Sequence, residues 1–161
     1  MKYFFSICIV MLSITLFAQS HNSKKNAGLI AALFDAINKH DSIGIASFFT
    51  DSARIESPNW EGVQTGRPAI VTVYSRYFKG TPDYQSTITN ITATDDAVVV
   101  EYTFGGQFSN PEAGTPDYMR NKKYILKGCT VFKIAGNKIT SSVSYFDQVA
   151  FLRQVGFFDQ H

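Results

Sequence analysis

Cysteine is almost missing from this chain, and that absence settles several questions at once. Of two cysteines in 161 residues, Cys8 lies inside an apolar N-terminal run, which leaves Cys129 alone in the rest. A single thiol forms no internal disulfide, so the core must carry the stability unaided. Cys129 itself reads as a small strand residue. Histidine is nearly as scarce: His21, His40 and His161 have no ligand-like spacing, so no zinc or other metal site is expected, and no cofactor. Neither sign of charge dominates. The net charge is +2, or +1 once Lys2 is removed, without a basic stripe. Nucleic acid is therefore excluded as a partner. No repeat or low-complexity stretch appears.

Long apolar runs are absent after the first twenty residues. The exception is Tyr3 to Phe17, preceded by Met1-Lys2 and followed by Ala18-Gln19-Ser20. It is short for a membrane span, and Cys8 lies within the run rather than at its end, which argues against a lipoprotein. Residues 1–18 read as a secretory signal cleaved after Ala18, with an uncleaved anchor as the alternative. The expected location is secreted or periplasmic, with no stable membrane span after cleavage. About 140 residues remain, enough for one domain with a sizeable core.

What is present falls into helices first and strands later. Ala27, Ile30, Leu33, Phe34 and Ile37 recur at helical spacing. Asp41 or Ser42 can cap a second short helix carrying Ile45, Phe48 and Phe49. Ala53 to Glu56 is a short strand stopped by Ser57-Pro58. Pro68 suits the first turn of a helix running to Phe78. Strands are then expected at Tyr84 to Thr94, Ala97 to Phe104, Lys122 to Ile134 and Lys138 to Phe146, with Gly105-Gly106 bending the second. A polar loop occupies Gln107 to Asn121, and a helix from Gln148 to Val155 is stopped by Gly156. The predicted class is α+β, with N-terminal helices packed on a strongly curved antiparallel sheet that forms a cone around a deep pocket.

Asp147 stands where the last strand becomes the last helix. Strict alternation from Ile139 puts Ser141, Val143, Tyr145 and Asp147 on one face, the more apolar one, and so predicts that they point inward. A carboxyl in an aromatic cavity would be a general acid or base. Equally, Asp147 can cap the helix beginning at Gln148; the residues alone leave both readings open. On the preceding strand Tyr124, Leu126, Gly128, Thr130, Phe132 and Ile134 should look inward. Candidate pocket walls are Phe34, Phe49, Trp60, Tyr74, Phe78, Tyr102, Phe104, Tyr124 and Thr130, with Trp60 acting as a plug or a lid. Glu56 is a candidate second acid.

The stretches FFTDSARIESPNWEGVQTGRPAI, FKGTPDYQSTITNI and NKITSSVSYFDQVAFLRQVGF resemble the NTF2-like (cystatin-like cone) superfamily, and within it the SnoaL-like polyketide cyclases. The resemblance covers nearly all of residues 19–161 and implies one SnoaL-like domain there. It implies acid/base chemistry by Asp147, since Asp147, Leu152, Gln154 and Gly156 match the family's ending; the family's neighbouring His has no counterpart between Tyr124 and Ile134. In the related ketosteroid isomerases a Glu-Asp-Pro stretch carries the base. Here it reads Glu56-Ser57-Pro58, and the two oxyanion donors fall at Phe34 and near Thr130. That mechanism is not expected. Limonene-epoxide-hydrolase relatives need an Arg-x-Asp, absent from LKGCTVFKI.

Two functions follow as expectations. One is an exported enzyme of isomerase, cyclase or hydrolase type, with Asp147 moving a proton and Tyr145 or Tyr124 holding an oxyanion. The other is a non-catalytic module for a small hydrophobic or aromatic ligand or a partner protein. The family resemblance also implies a homodimer.

Overall fold

The computed structural model describes residues 22–59, 62–111 and 115–160. The expected signal sequence and Trp60 lie outside them. Helix α1 covers residues 22–38, followed by α2 (Ser42–Ser47), β1 (Phe49–Glu56), β2 (Gln64–Thr65) and α3 (Arg67–Gly80). Then come β3 (Gln85–Ala93), β4 (Ala97–Gln107), a 3-10 turn (Asp117–Met119), β5 (Lys123–Ala135), β6 (Lys138–Phe146), α4 (Gln148–Gln154) and a final 3-10 turn (Phe157–Gln160).

The caps explain where the helices begin. Asp41 accepts a bond from the Gly44 amide at the head of α2, and Pro68 occupies the first turn of α3, where no amide donor is required. The strands form one six-stranded sheet in the order β2-β1-β6-β5-β4-β3. The expected antiparallel sheet is corrected in one respect: β1 runs parallel to β6, so the sheet is mixed. Helix α3 between β1 and β3 and the long route through β3, β4 and β5 make that parallel neighbour accessible.

Helix α1 guards the free edge. Nδ2 of Asn26 donates to the carbonyls of Thr94 and Asp95, and the Asn38 amide pairs with both the N–H and the C=O of Ser86. A side-chain amide thus takes the place of a missing strand on β3. The core packs Ile30, Leu33 and Ile37 of α1, Ile45 and Phe49, and Ile70 and Val73 of α3 against Val98, Val100, Leu126, Phe132 and Ile139 of the sheet. The inward set expected on β5 is observed, because burial alternates strictly along it.

On β6 the alternation breaks. Lys133 pairs with Ser141 and Ile134 with Ile139, so Thr140 is an extra residue in the ladder. Its hydroxyl donates to the Lys133 carbonyl at 3.2 Å. This bulge shifts the phase of the strand by one residue. Beyond it Ser142, Ser144 and Phe146 face the helices, while Val143 and Tyr145 face outward.

Gly105 and Gly106 do not end β4, which continues to Gln107. They serve close approach: a Cβ on Gly105 would sit 2.2 Å from the Tyr124 carbonyl oxygen, and one on Gly106 would sit 2.3 Å from Cγ2 of Thr81.

Candidate functional site

A cavity of about 70 Å³ lies between α3 and the concave face of the sheet. Helix α3 contributes Tyr74 and Tyr77, spaced one turn apart so that both rings leave the same face. Tyr84 enters from just before β3, Tyr102 and Phe104 from alternate positions of β4, and Ser144 and Phe146 from alternate positions of β6. The segment after β1 adds Ser57 and Asn59; Asn59 is exposed, which puts this edge at the rim. Gln148 of α4 donates to the Pro58 carbonyl at 3.0 Å and ties the rim to the C-terminal helix.

Two hydroxyl networks hold the walls. Tyr102 Oη, Thr130 Oγ1 and Ser144 Oγ form a chain across β4, β5 and β6, with links of 3.0 and 2.9 Å. Three hydroxyls joined by two bonds keep one hydrogen spare, and rotation can present it at either end, Tyr102 or Ser144. Tyr77 Oη and Tyr124 Oη are paired at 2.9 Å. Gly128 sets the first network. It sits in register between Tyr102 and Phe146, and a Cβ there would be 2.8 Å from Cζ of Tyr102, so the ring lies directly over the glycine.

The cavity walls carry no carboxylate, lysine, arginine or histidine among the described residues. The ionisable groups are phenols. Burial pushes Tyr74, Tyr77 and Tyr84 far above the ordinary tyrosine value, with neighbouring phenols adding to it. Burial also raises Tyr102 and Tyr124, against which their hydrogen bonds to hydroxyl neighbours act. Neutral phenols donate hydrogen bonds but are not bases near neutral pH.

The placement of Asp147 differs from the inward orientation expected for it. It is exposed, and its Oδ1 accepts the Ala150 amide at 2.9 Å as the N-cap of α4. Tyr145 is 57 % exposed on the outer face. The Thr140 bulge is the reason, because it reverses the parity on which the expectation stood. Leu152, Gln154 and Gly156 complete an architectural ending. The Gln154 side chain accepts from the Ile125 N–H at 2.7 Å and donates to its C=O at 3.0 Å, extending β5's pairing beyond the end of β6. Gly156 takes φ +84° at the helix stop.

Of the expected walls, Tyr74, Tyr102 and Phe104 line the cavity. Tyr124 and Thr130 stand one layer behind as hydrogen-bond partners. Phe34 packs edge-on against Tyr102 at 5.0 Å, Phe78 stacks on His40 at 4.4 Å, and Phe49 is 1 % exposed in the core. These three are core residues, not walls. Glu56 is exposed. The wall residues missed were Ser57, Asn59, Tyr77, Tyr84, Ser144 and Phe146. The i,i+3 pairing of Tyr77 with Tyr74 was a visible signal, whereas Ser144 and Phe146 were hidden by the bulge.

Among solved structures, the chain resembles a candidate SnoaL-like polyketide cyclase from Jannaschia sp. CCS1 (TM-score 0.72, 19 % identity, covering 83 % of this chain and 92 % of that one). It also resembles a candidate polyketide cyclase from Xanthomonas campestris pv. campestris (TM-score 0.71, 24 % identity, 83 % and 98 %). A third is a protein of ketosteroid isomerase-like fold from Catenulispora acidiphila DSM 44928, in complex with trimethylamine (TM-score 0.67, 21 % identity, 80 % and 92 %). At these identities the likeness shows the fold. No curated protein matches the chain. The profile of the SnoaL-like domain matches residues 30–142, most of the chain, and spans every element from within α1 into β6. With that match over most of its length and the ketosteroid isomerase-like architecture, the chain belongs to the SnoaL-like domain family.

Proposed function

We propose that this protein is an exported small-molecule-binding member of its family, whose aromatic cavity holds a compact ligand without performing acid/base chemistry on it. The observation that carries this reading is the wall itself: six aromatic rings and three uncharged polar side chains, with no acid or base among them. Apolar walls with a few oriented polar groups are the usual make-up of a small-molecule site. The exposure of Asp147 and Tyr145 supports binding over catalysis by those residues. The volume bounds the occupant. About 70 Å³ is roughly half of an engineered cavity of about 150 Å³ that takes benzene. A compact group of the order of trimethylamine, the ligand of the Catenulispora protein, suits that space better than a fused polyketide ring.

Export rests on the N-terminal sequence; among the described residues no helix is long and apolar enough to cross a membrane. A homodimer through the outer sheet face is supported by the row Val99, Val131 and Val143, in register across β4, β5 and β6, beside exposed Tyr145.

The test is a thermal-shift and NMR screen of small uncharged and charged compounds against the wild type and a Ser144→Leu variant that fills the hollow. Binding that perturbs the rings of Tyr74 and Tyr102 and is lost in Ser144→Leu is expected. Turnover of any hit that disappears in Asp147→Asn would overturn the non-catalytic reading.

A further inference from the structure

We propose that the cavity is a cage for the head of a methylated ammonium cation, a tertiary or quaternary methylamine. This rests on the small-molecule reading above and adds the chemistry that would select the ligand. The rings do not form a parallel stack. Tyr77 and Tyr84 meet at 76°, Phe104 and Phe146 at 79°, and Tyr102 and Phe104 at 44°, with centroids 5.0 to 5.6 Å apart. Rings crossed at these angles flank the hollow from different directions, and each aromatic face carries partial negative charge.

Consider the ligand classes against this wall. An anion meets no cationic side chain there. A bare ammonium gives up strong hydration, and the wall has no carboxylate to replace it, so its burial is costly. A flat aromatic ring has about the bulk of a trimethylammonium head but no charge to meet the ring faces, so it stands with the uncharged molecules. A methylated ammonium fits on each count. Its charge is spread over the methyl groups and its hydration is weak. It is compact, and cation–π attraction needs no counter-ion in the wall. A substituent on its nitrogen can leave past Ser57 and Asn59, whose polar side chains line the rim. The remaining competitor is an uncharged molecule of the same shape, and charge alone separates the two.

The experiment titrates the full-length protein with choline, with dimethylbutanol (its uncharged carbon isostere) and with ammonium, by calorimetry and ring-proton NMR. Choline should bind at least tenfold tighter than dimethylbutanol, and ammonium should not bind. A second arm places phenylalanines with successive fluorines at position 146, which drains charge from the ring face while keeping its shape and the fold. Choline affinity should fall with each fluorine, and dimethylbutanol affinity should not. Equal binding of choline and dimethylbutanol, with no response to fluorine, overturns the cage while leaving the small-molecule cavity intact. If neither compound binds wild type and Ser144→Leu melts unchanged with both, the cage falls together with the reading it rests on.

Discussion

A methyl group at position 128 would collide with Cζ of Tyr102 at 2.8 Å, and this near-contact positions the phenol that heads the hydroxyl chain to Thr130. Gly128→Ala should push that ring off β5, separate Tyr102 from Thr130 and reshape the hollow. Ligand affinity is expected to drop tenfold or more with a stability loss of only about 1 kcal/mol, measured by calorimetry and urea unfolding. Asp147 makes the opposite case. As an exposed N-cap it should cost about 1 kcal/mol when replaced by alanine and much less when replaced by asparagine, which caps nearly as well. Neither replacement should change ligand affinity. A Kd that rises with Asp147→Asn while the melting temperature holds would return that carboxylate to the site. Phe49, 1 % exposed, tests the distinction between core and wall: Phe49→Ala should destabilise by about 3–5 kcal/mol.

The C-terminal element is held by side-chain substitutes for backbone pairing. Gln154 grips both backbone groups of Ile125 where β6 no longer reaches, and Gln148 grips Pro58 at the cavity rim. Gln154→Leu should cost about 1–2 kcal/mol, from two bonds worth about 0.5–1.5 each. Hydrogen exchange should accelerate at the Ile125 amide before the rest of β5. If that amide keeps its protection, the brace is not what secures α4. At this scale most of the fold was legible. Spacing placed α1, α2 and α3, and turn residues placed the boundaries of β3, β5 and β6 to within a residue or two. The family ending was visible too, though its residues proved to be caps and braces. Two things were not legible. The parallel partnership of β1 with β6 joins segments about ninety residues apart, with no local signature. The extra residue at Thr140 has none either, since bulges depend on what the neighbouring strand does. Two of the nine cavity-wall residues were lost with it, because counting by twos from Ile139 gives the wrong face at Ser144 and Phe146.

For the molecule as a whole, the buried phenols tie stability to alkaline pH. Tyr74, Tyr77, Tyr84, Tyr102 and Tyr124 all have folded values raised chiefly by burial. A raised folded value means that the unfolded chain releases protons first as pH rises. Their contribution is therefore intact below about pH 10 and is lost as pH climbs through the folded values. Absorbance of tyrosinate should show these five ionising together with loss of helix circular dichroism, not one by one. Sedimentation equilibrium tests the proposed dimer: Val131→Lys, at the centre of the outer row, should yield monomers that retain ligand affinity. The bulge has one more consequence, for any survey of tolerated substitutions along β6. Lysine or aspartate should be rejected at 139, accepted at both 140 and 141, then rejected again at 142, 144 and 146. The profile would be a rhythm that skips one beat, and the skipped beat would locate Thr140 from survival data alone.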